Sequence, residues 1–183
     1  TRVEDFKATY KAFEKAFVDH GLSETWKDVM AIVVQPGVEE KDAGCEEYDR
    51  ERAKDLMASI KEFPNIVFEG HSTDYQTKYK LRELIDDGVG ILKVGPGMTY
   101  AMREALFALA YIEDMQLHGV HEDEKSHFID VLEEAMLVDP KYWKKYYQGT
   151  EDEIWFKRKF SFSDRCRYYM PYEKVNAAKN KMI

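Results

Sequence analysis

The residues best suited to chemistry fall at the ends of two apolar runs. The first is FEGHSTDYQ (68–76). His71 can move a proton or ligate a metal. Ser72, Thr73 and nearby N–H groups can hold phosphate oxygens, and Gly70 lets backbone approach a ligand closely. The same polar residues could instead only cap the next helix. The second stretch is KVGPGMT (93–99). A strand ends there, a Gly-Pro-Gly turn follows, and a helix begins near Thr99. Gly95, Gly97 and Thr99 would then form an anion site at a helix N-terminus, although tight turns use glycine for backbone reasons alone. Lys93 closes a buried strand. It suits a phosphate contact or an ion pair with Glu69 on the neighbouring strand, ahead of any Schiff-base role.

Other candidates are weaker. Glu39 and Glu40 follow the turn QPG (35–37) and read as solvated charges rather than bases. His118, His121 and His127 include an HxxH spacing that could clip a metal, but no cysteine accompanies them. There is no GxxxxGK[ST] and no GxSxG, so a P-loop kinase has no support.

Three continuous apolar runs must position these loops: 30–34, 66–69 and 89–94. Runs without alternation suit strands covered on both faces, as in a parallel sheet. Helical spacings separate them. Val3, Phe6, Tyr10, Phe13 and Phe17 recur every three or four residues, stopping before Gly21. Ala53, Leu56, Met57 and Ile60 precede Pro64, and Leu81, Leu84 and Ile85 precede Gly88. Met102, Ala105, Leu106, Leu109 and Ile112 make a longer stripe from about 99 to 117. The order αβαβαβα is a string of βα units. Ligands of such units sit beyond the carboxyl ends of the strands, where both loops lie.

From about 121 the character changes to helices and aromatics. The expected division is 1–120, βα units of a partial barrel, and 121–183, a helical aromatic-rich extension. One short helix there should be capped by Ser163, with Asp164 in its first turn. Lys144, Lys145, Lys157, Arg158 and Lys159 lie among the aromatics, and a packed lobe or subunit contact is preferred to RNA stacking.

The chain has 183 residues, 27 basic and 35 acidic, for a net charge of −8. That balance argues against nonspecific nucleic-acid binding. No run approaches the ~18 apolar residues of a membrane span, so no membrane partner is expected. Two cysteines 121 positions apart suggest no disulfide framework, and a cytoplasmic location is expected. Three strands cannot close an eight-stranded barrel of roughly 250 residues. The chain is either a small open sheet or part of a larger barrel.

A family resemblance now has its residues. FEGHSTDYQ (68–76), LREL (81–84), GILKVGP (90–96) and REALFAL (103–109) resemble the non-catalytic subunit of D-tagatose-1,6-bisphosphate aldolase. VVQPGVE (33–39), Asp139-Pro140, the Tyr pair after Lys145, and Ser163-Asp164-Arg165 fit the same family. The resemblance implies an α/β fold: the C-terminal portion of a class II aldolase-like TIM (β/α)8 barrel, with about three parallel strands and a helical extension. It implies a component of an aldolase complex that is not catalytic alone. Such a subunit supports the activity and stability of a catalytic class II partner in galactitol and N-acetylgalactosamine breakdown. Zinc is expected in that partner, and no cofactor is assigned to this chain. A sugar phosphate is the candidate ligand, at Gly70, His71, Ser72, Lys93, Gly95, Gly97 and Thr99, with His71 also a candidate metal ligand. The catalytic relatives resemble Ala-His-Gly where this chain has Gln35-Pro36-Gly37, and proline cannot bind zinc. They usually place asparagine where Lys93 stands. The alternatives are a metal-dependent aldolase in its own right and a tagatose 6-phosphate kinase, a label this family has also carried.

Overall fold

In the computed structural model, residues 1–119 and 122–182 are described. They form two compact units. The first comprises residues 1–40 and 44–95, and the second residues 41–43 and 96–183. The long helix after the last strand thus groups with the C-terminal residues, whereas the sequence places it among the βα units.

The first unit opens with helix α1 (Val3–Asp19). It ends where Gly21 takes φ +73°, a backbone region that favours glycine. Phe6 carries its packing, meeting Phe63 and Phe68 edge-on at 5.1 and 4.9 Å. A short helix α2 (Ser23–Trp26) sets the Trp26 ring 5.1 Å from Tyr10 and 5.2 Å from Phe17. Strand β1 (Ala31–Val34) follows. A small antiparallel pair, β2 (Glu39–Glu40) and β3 (Cys45–Glu46), holds the two glutamates that the sequence leaves in a loop. Helix α3 (Arg50–Ser59) is capped by the Asp49 carboxylate, which accepts from the N–H groups of Glu51 and Arg52. Strand β4 (Val67–Gly70), helix α4 (Lys78–Asp86) and strand β5 (Val89–Leu92) complete the unit.

β1, β4 and β5 form a parallel sheet in the order β1-β4-β5. Its register pairs Val33 with Glu69 and Glu69 with Ile91. Ile32, Val34, Phe68 and Val89 point to one face and are buried with Phe6, Leu56, Met57 and Leu84. The other face is open. Val33 is 51% exposed, Val67 38% and Ile91 37%. The continuous apolar runs predict cover on both faces, and these residues have it on one. A bulge falls between Phe68 and Glu69, opposite Gly90. A Cβ at Gly90 would lie 2.7 Å from Val67 Cγ2, so only glycine fits beside that side chain.

The second unit is helical: α5 (Pro96–Gln116), α6 (Phe128–Val138), α7 (Glu151–Phe160) and α8 (Glu173–Met182). Leu106, Phe107, Phe128, Leu132, Met136, Trp143 and Tyr169 form its core. The Trp143 indole N–H donates to the Met136 carbonyl at 2.7 Å, and Arg158 lies 4.9 Å over its ring. α7 carries a full capping box between Thr150 and Glu153. Ser163 does not cap the turn that follows it. Asp164 stands at that position with φ +45°, and its carboxylate points inward to Arg103, Thr99 and Cys166.

No helix among the described residues is long and apolar enough to cross a membrane.

Candidate functional site

Parallel pairing continues one step past the strand ends. The His71 N–H donates to the Val34 carbonyl at 2.9 Å, and the Lys93 N–H donates to the Gly70 carbonyl at 3.0 Å. Side chains alternate along a strand, so His71 and Lys93 share the open face with Glu69 and Ile91. The Glu69 carboxylate lies 2.7 Å from His71 Nε2, and both side chains are 29% exposed. An ionised carboxylate only accepts, so Nε2 is the donor in this pair. Glu69 therefore pairs with His71 and not with Lys93 as the sequence suggests. Lys93 is exposed and its ammonium makes no ion pair among the described residues. The signal for the Glu69–His71 pair is present in the sequence: two residues apart on a strand means one face.

The rest of the loop is structural. The Thr73 hydroxyl donates to the Lys93 carbonyl at 2.8 Å. Gln76 accepts the Tyr48 N–H at 2.9 Å and donates to the Glu46 carbonyl at 2.8 Å. Asp74 accepts the Gly95 N–H at 2.9 Å. Thr73, Asp74 and Gln76 are buried, while His71 and Ser72 remain half-buried. Ser72 and Tyr75 hold φ of +58° and +62°, a strained setting for side-chain-bearing residues that the buried anchors maintain. Tyr48 is fixed in turn. Its hydroxyl donates to Asp87 at 2.9 Å, and burial with that neighbouring carboxylate pushes the phenol pKa well up.

Four of the seven expected phosphate residues are engaged in other ways. Gly70 is packed against its neighbours. It lies on the covered face, where a Cβ would stand 3.0 Å from Val89 Cγ1 and 3.4 Å from Thr73 Cγ2, so its role is close packing. The Gly95 amide is already bonded to the Asp74 carboxylate, whose charge opposes a phosphate there. Thr99 sits in the first turn of α5, in the second unit, and its hydroxyl is bonded to Asp164 and the Pro96 carbonyl. Gly97 lies in the same turn, because α5 begins at Pro96 rather than near Thr99. His71, Ser72 and Lys93 are left at the strand ends with polar groups turned outward.

A metal does not fit these residues. His71 has only Glu69 beside it, short of the three protein ligands of a catalytic zinc, and no group of three candidate ligands gathers among the described residues. His118 and His127 are exposed, and His121 lies outside the described residues.

Comparisons place this geometry among known proteins. The sequence model of the family described as D-tagatose-1,6-bisphosphate aldolase subunit GatZ/KbaZ-like matches residues 1–183. The chain is 43% identical over its whole length to proteins named D-tagatose-1,6-bisphosphate aldolase subunit GatZ from Salmonella paratyphi B and Salmonella typhimurium. It spans 42% of the length of each. A crystal structure described as a probable tagatose 6 phosphate kinase from Sinorhizobium meliloti 1021 superposes with a TM-score of 0.91 at 41% identity. That likeness covers 100% of this chain and 46% of the other.

Proposed function

This chain belongs to the GatZ/KbaZ-like family of D-tagatose-1,6-bisphosphate aldolase subunits, and from that premise we propose that it serves as part of a non-catalytic subunit supporting a catalytic class II aldolase. The observation that carries this reading is at the strand ends. Part of the strand-end polarity is engaged within the chain: Glu69 holds His71 Nε2, and Asp74 holds the Gly95 amide. What the site offers is a polarised imidazole, a hydroxyl and an ammonium, at His71, Ser72 and Lys93. That set suits contact with a sugar phosphate, and its one imidazole falls short of the three protein ligands of a catalytic zinc. The metal chemistry belongs to the partner.

In this proposal the three strands are part of a class II aldolase-like (β/α)8 barrel. Val33, Val67 and Ile91 face its interior, and His71 and Lys93 stand at its mouth. Its place of work is the cytoplasm, in the breakdown of galactitol and N-acetylgalactosamine. Binding to the folded partner alone stabilises that partner by mass action, by about 2.7 kcal/mol at a hundredfold excess over Kd.

The test uses the full-length protein and a purified catalytic subunit. The partner's melting midpoint and its rate of tagatose 1,6-bisphosphate cleavage are measured with and without the protein. Both should rise; no change in either rejects the subunit role. A coupled assay for ATP use with tagatose 6-phosphate runs alongside, because the Sinorhizobium meliloti protein is described as a probable kinase. Sustained turnover there would replace the subunit reading.

A further inference from the structure

Within an acidic chain, one surface of the second unit is basic and aromatic. Residues 140–149 and 165–172 contain five Lys or Arg and no Asp or Glu; Lys141 is paired with the flanking Asp139 at 2.6 Å, which leaves Lys144, Lys145, Arg165 and Arg167 as the cations of the surface. The two segments meet. Arg165 lies 3.1 Å over the Tyr146 ring and donates to the Tyr142 carbonyl at 3.0 Å. Tyr142 stacks on Tyr168 with centroids 5.0 Å apart and planes 29° apart, and Arg167 lies 4.4 Å over Tyr168. Lys144 and Lys145 are exposed on the same turn as Tyr146. Tyr146 is 45% exposed and Tyr168 39%.

We propose that this surface is a docking site for a carboxylate-rich protein face, and, resting on the subunit reading above, that the face belongs to the catalytic aldolase subunit. Arg and Tyr held in fixed stacks are what interface centres favour, since little side-chain freedom is lost on binding. The lysines at the edge supply charge complementarity and speed encounter. A nucleic acid fits less well. The Tyr142 ring is stacked on Tyr168 and has Lys141 4.7 Å from its centroid, Arg165 covers Tyr146, and bases need open ring faces.

The experiment measures Kd between the full-length protein and the catalytic subunit by titration calorimetry at two salt concentrations. Lys144→Glu with Lys145→Glu should raise Kd at least tenfold, and Lys144→Arg with Lys145→Arg should leave it unchanged. Raising salt should weaken the wild type more than the charge-reversed protein. Both lysines are exposed, and an unchanged melting midpoint checks the fold; Tyr146→Ala gives a second variant, expected to weaken binding without changing charge. If the wild type binds and every variant binds equally well, the docking surface is wrong and the subunit role stands. If the wild type does not bind the subunit, the functional reading falls and this inference with it. A single-stranded RNA probe is titrated in parallel. RNA binding lost in the Glu variants while subunit binding persists would overturn the assignment to a protein face.

Discussion

Glu133 meets two cations at once. Arg158 donates to its Oε1 at 2.9 Å through Nε, and Lys159 Nζ lies 2.8 Å from Oε2 as an ion pair whose angles fall outside those of a hydrogen bond. Burial would push the Glu133 pKa up, but the Arg158 hydrogen bond and the Lys159 charge outweigh it and hold the carboxyl below its ordinary 4.5. A depressed folded pKa means stability that is present above the unfolded value and lost as pH falls through the folded one. Urea midpoints measured from pH 7 to 3 should therefore fall below about pH 4.5, and Glu133→Gln should flatten part of that slope. At pH 7 the same substitution leaves two buried cations without their partner and should cost about 3 kcal/mol. A midpoint unchanged at pH 7 would mean the pair contributes nothing. The strand-end loop teaches a related lesson at this scale. His71, Ser72 and Lys93 were legible as polar groups at strand ends from residue type and spacing, but the partner of Glu69 was not: the sequence suggests Lys93, and the structure gives His71. The roles of Asp74 and Gln76 were not legible either, because a buried anchor and a catalytic group are written with the same polar residues. Their partners, Gly95, Tyr48 and Glu46, lie 21 to 30 positions away.

Among the elements, those with local signals were readable. The α1 stripe and its Gly21 stop, the α4 stop at Gly88, and the three strands all follow from periodicity and breakers. The β2–β3 pair was missed because two residues per strand carry no period. The start of α5 was placed late because Pro96, which suits a first helical position, reads equally as part of the turn. The bulge opposite Gly90 could not be seen from one sequence, since it depends on where Val67 falls across the sheet. Gly90→Ala places a methyl 2.7 Å from Val67 Cγ2 and should destabilise by about 1–3 kcal/mol. Val67→Ala should recover part of that loss, as a double-mutant cycle on denaturant midpoints would measure. Additive costs would show that the two residues do not meet. The α7 capping box gives a smaller effect. Thr150→Ala should cost about 1 kcal/mol by the same measurement.

For the whole molecule, the open sheet face is the main consequence of the fold. β1 and β5 are both edge strands, and apolar side chains cover one side of the sheet without cover of their own. Exposed edges and apolar faces invite pairing. If the strands belong to a closed barrel, amide hydrogen exchange at the outer edges of β1 and β5 should be slow in a full-length family member and fast in these 183 residues. Equal exchange in both would leave the barrel proposal without support.

The placement of the indoles has a practical outcome. Trp26 is wedged between Tyr10 and Phe17 in one unit, Trp143 is enclosed in the other, and Trp155 is half in water. Replacing Trp155 and either of the other two with phenylalanine leaves a single tryptophan, in a chosen unit, that can be excited apart from the tyrosines. Its emission colour then follows the loosening of that unit alone, so melting of the sheet-bearing half and of the helical half can be watched as separate optical signals from one polypeptide.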